Sequence, residues 1–366
     1  MTLNRRSVLK MAVGSMTLAA GAGAVQAQFQ TAYDLSEKLE LGVKSGLLTD
    51  LHGVMIAHGD RVVFEHFFEG RDFAWADDLG TVQFERDTLH DLRSVTKSIT
   101  SLLYGIALGM GKVPSPDAPL LDAFPDYADL KKDPQRAAWT ISNALNMTMG
   151  TEWNEDLPYS DPRNSEIMME NAPDRYRFIL DRPIIEQPGV RWHYNGGCTA
   201  LLGHLISAGT GQDLEVFAKE QLFEPLGISQ FQWMRGSDGV PSPASGLRLT
   251  AEGLTRVGQM VAAGGRWNER QIVSQKWLET YMAPQVRTAF GSHYSNSWYW
   301  QEHFVPAANR AFPVISGAGN GGQRLFVVPA LDIVVTIFCG AYNRPDQWIT
   351  PLLVLDRMAL PNLEKL

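Results

Sequence analysis

Ser94 and Lys97 stand three residues apart in the stretch LRSVTKSITSLL, residues 92–103. Positions three apart share one face of a helix, so the lysine amine can reach the serine hydroxyl. A hydroxyl beside an amine base suits nucleophilic acyl transfer, in which the base takes the proton as the oxygen attacks a carbonyl. The same pair also fits the ordinary polar edge of an amphipathic helix. Spacing alone does not choose, because Ser-x-x-Lys recurs at Ser7 to Lys10. Position favours chemistry at Ser94. It falls at the first turn of the helix, where free N–H groups and the positive end of the dipole favour an alkoxide or oxyanion. Val95 and Ile99 give the amine apolar neighbours, which should lower its pKa toward that of a base at neutral pH.

Two further stretches carry candidate groups. In PGVRWHYNGGCTALLG, residues 188–203, Tyr194 precedes a glycine pair that opens an apolar helix. Its phenol either packs in the core with a local partner or shuttles a proton between nucleophile and leaving group, aided by a cation such as Lys97. In ISGAGNGGQRLFVVP, residues 315–329, Gly317 to Gly322 satisfy G-x-G-x-x-G. A dinucleotide loop must open a helix, and the residues that follow here are strand-like, so we reject that reading. The glycines fit a backbone that must approach another group closely, and such an edge can aim an N–H at an oxyanion. A glycine-rich hairpin without a role fits the same letters. The sequence contains no His-Glu-x-x-His and no Cys-x-x-Cys, so neither metal nor cofactor is expected.

These residues need elements to hold them. Ile99, Leu102, Leu103, Ile106, Ala107 and Met110 repeat with helical period after Ser94, and Gly109, Gly111 and Pro114 end the run. Residues 52–70 read as a hairpin turning at His58-Gly59-Asp60. Frequent prolines break residues 115–185 into short helices and loops. An apolar helix is expected over 198–208 and an amphipathic one over 250–264, strands over 295–300, 323–329 and 331–340, and a last helix near 348–358. The fold class is therefore α/β, in the α+β sense: a mixed lobe with an antiparallel sheet, about 28–114 and 246–366, and an inserted helical lobe, about 115–245.

The N-terminus places Arg5, Arg6 and Lys10 before a mildly apolar Ala/Gly stretch, with a plausible cut near Ala27. This is the layout of a signal peptide over residues 1–27, of twin-arginine type, and it implies a periplasmic or secreted protein. Its removal takes away three positive charges and no negative ones, moving the net charge from −8 to −11. An acidic surface without a basic cluster excludes nucleic acid as a partner. No apolar run after the first 30 residues is long enough to span a membrane. Cys198 and Cys339, the only cysteines, read as buried thiols rather than a disulfide.

Taken in order, these stretches resemble the serine β-lactamase and DD-peptidase superfamily, on the side of the class C β-lactamases and their esterase and 6-aminohexanoate-dimer hydrolase relatives. SVTKSITSLL resembles the nucleophile helix. Asn146 to Gly150 resembles a Leu-Thr-Met-Thr-Ser-Gly turn, Pro188 to Gly203 the tyrosine segment, and SGLRLTAEGLTRVGQM the helix before the last strands. The resemblance implies Ser94 as acylated nucleophile and Lys97 with Tyr194 as general base and acid. It also implies an oxyanion hole from the N–H of Ser94 and one on the glycine-rich strand, Asn320 or, in another register, Ala318. Gly319 and Gly196 would face substrate.

Two departures bear on function. Gly196 stands where many relatives carry asparagine. Gly317-Ala318-Gly319, or Ile315-Ser316-Gly317, stands where lactamases and peptidases carry Lys-Thr-Gly. The missing lysine would otherwise attract a substrate carboxylate. The reading is therefore a secreted hydrolase of a small ester or amide. A β-lactamase or DD-peptidase and a non-catalytic ligand sensor are the alternatives. Trp153, Tyr159, Trp298 and Trp300 would line an acyl pocket or belong to the core. Asp156 and Asp161 would meet an amine-bearing substrate or simply be solvated. Oligomeric state is not legible.

Overall fold

A computed structural model describes residues 34–365. The expected signal peptide lies outside those residues. The chain enters through helix α1 (Leu35–Lys44) and forms the hairpin β1 (Leu51–His58) and β2 (Arg61–Phe67). Gly59 takes a left-handed φ of 60° at its turn. After helix α2 (Val95–Gly109) comes the excursion of short helices, including α3 (Ser165–Glu170) and α4 (Gly196–Thr210). Helix α5 (Ala251–Ala262) then leads to the six remaining strands of the main sheet: β3 (Val286–Arg287), β4 (His293–Ser295), β5 (Trp298–Val305), β6 (Arg310–Gly319), β7 (Gln323–Val328) and β8 (Ile333–Cys339).

The main sheet has eight strands in the order β3-β4-β5-β6-β7-β8-β1-β2. Adjacent pairs are antiparallel. Both ends of the described chain thus build one sheet, because β8 pairs with β1 from Leu51↔Cys339 to His58↔Ile333. Strands β7 and β8 are buried throughout, which explains their continuous apolar sequence. Leu325, Val327 and Val334 face the core shared with α2 and α5. Phe326, Val328, Val335 and Ile337 face a second core beneath α1 and the C-terminal helical turns.

Three details differ from expectation. Phe231–Trp233, inside the span read as helical, is a strand paired with Leu247–Leu249, which also pairs with His90–Asp91. The last helix keeps α geometry only over Ile349–Leu353 and continues as wider π turns to Ala359. Residues 120–123 and 125–132 are 3₁₀ turns, as prolines at 119 and 125 favour. Cys198 and Cys339 are buried free thiols. Among the described residues no helix is long and apolar enough to cross a membrane.

Candidate active site

Helix α2 is buried from Val95 through Ala107, so it is a fixed mount. Arg93 delivers the chain to it in a left-handed conformation, φ 48°. A non-glycine residue held there costs about 1–3 kcal/mol, and such strain gathers at functional sites. Arg93 is held by Asp91 at 3.0 Å, by the Trp75 carbonyl at 2.7 Å, and over the Tyr342 ring at 4.8 Å.

Ser94 occupies the cap position of α2 but makes no side-chain capping bond. Its Oγ instead accepts from Lys97 Nζ at 3.1 Å. Lys97 Nζ also donates to the Ala244 carbonyl at 3.0 Å and lies 5.0 Å from the centre of the Tyr194 ring. The Tyr194 hydroxyl interacts with both Ser94 and Lys97. Serine, lysine and tyrosine, up to 100 positions apart in sequence, are thus one cluster.

The charge state of Lys97 overturns the expectation of a depressed amine. Burial does push it down, but the acidic groups of Tyr194, Glu166 and Glu155, once ionised, outweigh burial and hold it above its ordinary value. Burial raises the Tyr194 phenol against the pull of Lys97, so at neutral pH it carries its proton.

Glu155 and Glu166 are the groups that sequence reasoning missed. Both are buried. Glu155 Oε1 accepts from Trp153 Nε1 at 2.6 Å and from the Gly196 N–H at 2.5 Å, while Oε2 accepts from the Tyr159 hydroxyl at 3.0 Å. Glu166, in the first turn of α3, accepts from Ser245 Oγ at 2.7 Å through Oε1. Its Oε2 lies 3.9 Å from Lys97 Nζ and has no hydrogen-bond partner. A Cβ on Gly196 would stand 2.8 Å from Glu155 Oε1 and 2.9 Å from Glu166 Oε2. The missing asparagine side chain is therefore space taken by carboxylates. The one sequence signal was that gap at Gly196.

The other candidates divide. Trp153 is buried and Tyr159 half-buried, and both direct polar atoms at Glu155. Trp298 is buried in the core, while Trp300 is half-buried on β5 opposite Ile315. Asp161 is tied to Arg163 at 2.7 Å, and Asp156 is exposed. Gly317 and Gly319 let β6 press on the start of α2. A Cβ at Gly317 would meet Val95 Cγ1 at 3.0 Å, and one at Gly319 would meet the Leu92 carbonyl at 2.3 Å. Pairing of β6 with β5 ends at Ser316, while pairing with β7 continues to Ala318↔Arg324 and Gly319↔Gln323. Asn320 lies beyond the strand, its side chain bonded to Asn343 at 2.8 Å and 2.7 Å.

A match to the Beta-lactamase family spans residues 47–347. The chain belongs to that family. It is a serine hydrolase of the β-lactamase fold. It is 24% identical over 331 residues to the 6-aminohexanoate-dimer hydrolase of Paenarthrobacter ureafaciens, covering 86% of this chain and 76% of that one. Its fold is similar to a class C β-lactamase from Rhodobacter sphaeroides, with TM-score 0.66, 16% identity and coverage of 89% and 99%. The hydrolase EstCE1, described as having promiscuous acyltransferase activity, superposes with TM-score 0.66, 15% identity and coverage of 86% and 97%.

Among the described residues one cluster has metal-ligating types close together: His52, Asp72 and His90. Each of its residues already has a partner. The two imidazoles bond each other at 2.9 Å, and Asp72 accepts from Arg248 at 3.2 Å and from the Tyr342 hydroxyl at 3.0 Å. The cluster is read as a buried polar network under the hairpin.

Proposed function

We propose that this hydrolase is exported and cleaves a small ester or amide through an acyl-enzyme on Ser94. The carrying observation is the 3.1 Å contact from Lys97 Nζ to an uncapped Ser94 Oγ at a helix N-terminus. Ser94 Oγ bonds to the carbonyl carbon as its proton passes to Lys97. The oxyanion is received by the Ser94 N–H and an N–H of β6. The end of β5 pairing at Ser316 favours Ala318 for that second donor over Asn320. Tyr194, kept protonated by burial, hands a proton to the leaving group and is refilled from Lys97. Water then cleaves the acyl-enzyme.

A neutral acyl substrate is favoured over a β-lactam or a terminal D-alanine, because residues 315–319 supply no lysine for a carboxylate. Since a similar protein is named for the 6-aminohexanoate dimer, that dimer is the amide probe to try beside p-nitrophenyl butyrate. The test is intact mass after a fluorophosphonate probe, with ester turnover measured in parallel on the protein and on Ser94→Ala. One adduct on Ser94 with turnover supports the reading. Neither adduct nor turnover in folded protein overturns it and leaves a ligand-binding role.

A further inference from the structure

The site has an unsolved step. Lys97 is held as a cation, and a cationic amine cannot take a proton from Ser94. It must first lose one. An ammonium has three N–H donors. Two of them point at Ser94 Oγ and the Ala244 carbonyl, and the Tyr194 hydroxyl also bonds the amine. The nearest carboxylate oxygen is Glu166 Oε2 at 3.9 Å, buried and without a hydrogen-bond partner. A small rotation or one bridging water spans the gap.

We propose that Glu166 is the proton acceptor behind Lys97, able to work because Gly196 leaves its carboxylate room beside the amine. This rests on the acyl-enzyme reading. The ammonium of Lys97 passes a proton to the carboxylate of Glu166, giving an amine and a carboxylic acid. The amine takes the Ser94 proton as Oγ bonds to the carbonyl carbon. When the tetrahedral adduct collapses, Lys97 passes a proton through Tyr194 to the departing group. Glu166 then returns its proton to Lys97. Protons and charge balance without any co-reactant. Glu166 touches no substrate atom and acts only through Lys97.

The charged surroundings set when this relay runs. Glu166 faces Lys97 from α2, Glu155 from the loop before α3, Tyr194 ahead of α4, and Ser245. One turn further along α3, Glu170 is reached through Ser242, which bonds Glu170 at 2.9 Å and lies 3.4 Å from Ser245 Oγ. Glu170 is itself balanced by Arg175 at 2.9 Å. Burial first, then the neighbouring Glu155 charge, push Glu166 up to about 8 against the pull of Lys97. Glu155 is held below its ordinary value: burial opposes this, but Lys97, Glu166, the Gly196 N–H and Trp153 outweigh it. At neutral pH the pair therefore carries one proton, on Glu166. Protonated Glu166 cannot accept another, so turnover rises as pH climbs through about 8.

The experiment is the pH dependence of kcat for p-nitrophenyl butyrate on both sides of that value, in the full protein and in Glu166→Gln, which keeps shape but accepts no proton. The wild type should show the rising limb. Glu166→Gln should lose the limb and fall about 10²-fold in kcat at high pH, with KM unchanged. Glu166→Asp should retain a limb. Glu155→Gln, which removes the neighbouring charge, should move the limb to lower pH and guards against a Glu166 variant that does not fold. An active wild type whose limb survives in folded Glu166→Gln, or stays unmoved in Glu155→Gln, overturns the relay alone. A wild type neither labelled nor active overturns the hydrolase reading and the relay with it.

Discussion

The Gly196 N–H donates to Glu155 Oε1 at 2.5 Å, and the same glycine leaves no room for a side chain between Glu155 and Glu166. A backbone donor and an empty Cβ position together replace a side-chain amide. Gly196→Asn therefore does not restore a family-like site. It should cost about 1–3 kcal/mol through overpacking and displace a buried carboxylate, lowering both the melting temperature and ester turnover. A differential melt beside a turnover assay checks this. Unchanged melting with higher turnover would contradict it.

Ser94 bonds Lys97 and does not cap its helix, so its hydroxyl does little for stability. Ser94→Ala should melt close to the wild type while losing labelling and ester turnover to background. A large loss of melting temperature would mean that the hydroxyl has a structural role.

Tyr194 carries its proton at neutral pH and sits against both Ser94 and Lys97. Tyr194→Phe should lower kcat by about 10²- to 10⁴-fold and still label at Ser94 when given time. Full activity in that variant would remove Tyr194 from proton transfer.

A β-lactam should be a poor substrate. Losing a hydrogen bond to a charged group is worth about 1.5–3 kcal/mol, roughly 10- to 150-fold in kcat/KM. Nitrocefin should fall below p-nitrophenyl butyrate by at least about 10-fold on that scale. Comparable values would revive the lactamase reading.

The hairpin network makes the fold acid-sensitive. Burial lowers both His52 and His90 from 6.5 to about 3. Between those values the unfolded chain binds protons that the folded chain does not. The stability present above pH 6.5 is therefore lost as pH falls toward 3, by about 1.4 kcal/mol per unit for each imidazole. Urea unfolding at successive pH values through that window measures the slope. A flat profile there would show that the imidazoles are not held neutral.

The cluster of Ser94, Lys97 and Tyr194 was legible because local rules mark its members. The apolar period after Ser94, the three-residue step to Lys97, and the glycine pair after Tyr194 each announce an element boundary. The α+β architecture was legible because β7 and β8 are apolar without interruption and α5 is amphipathic. Glu155 and Glu166 were not legible. They come from a proline-broken loop and a six-residue helix, where charged residues ordinarily face water, and only tertiary packing brings them to Lys97. The same packing reversed the expected pKa of Lys97, since its sequence neighbours are apolar but its spatial neighbours are acids. Trp153 and Tyr159 were noticed as bulk, whereas their polar atoms hold Glu155.

Helix α2 is fastened to residues 243–247 by three side chains on successive turns. Thr100 bonds the Pro243 carbonyl at 2.8 Å, Lys97 bonds that of Ala244 at 3.0 Å, and Thr96 receives the Leu247 N–H at 3.2 Å. Such a seam leaves no hinge between Ser94 and the segment carrying Ser245. New substrates would then be gained by changing residues outside the seam, while the cluster of Ser94, Lys97 and Tyr194 is kept. A library that spares residues 94–100 and 243–247 should yield altered acyl preference far more often than one that includes them.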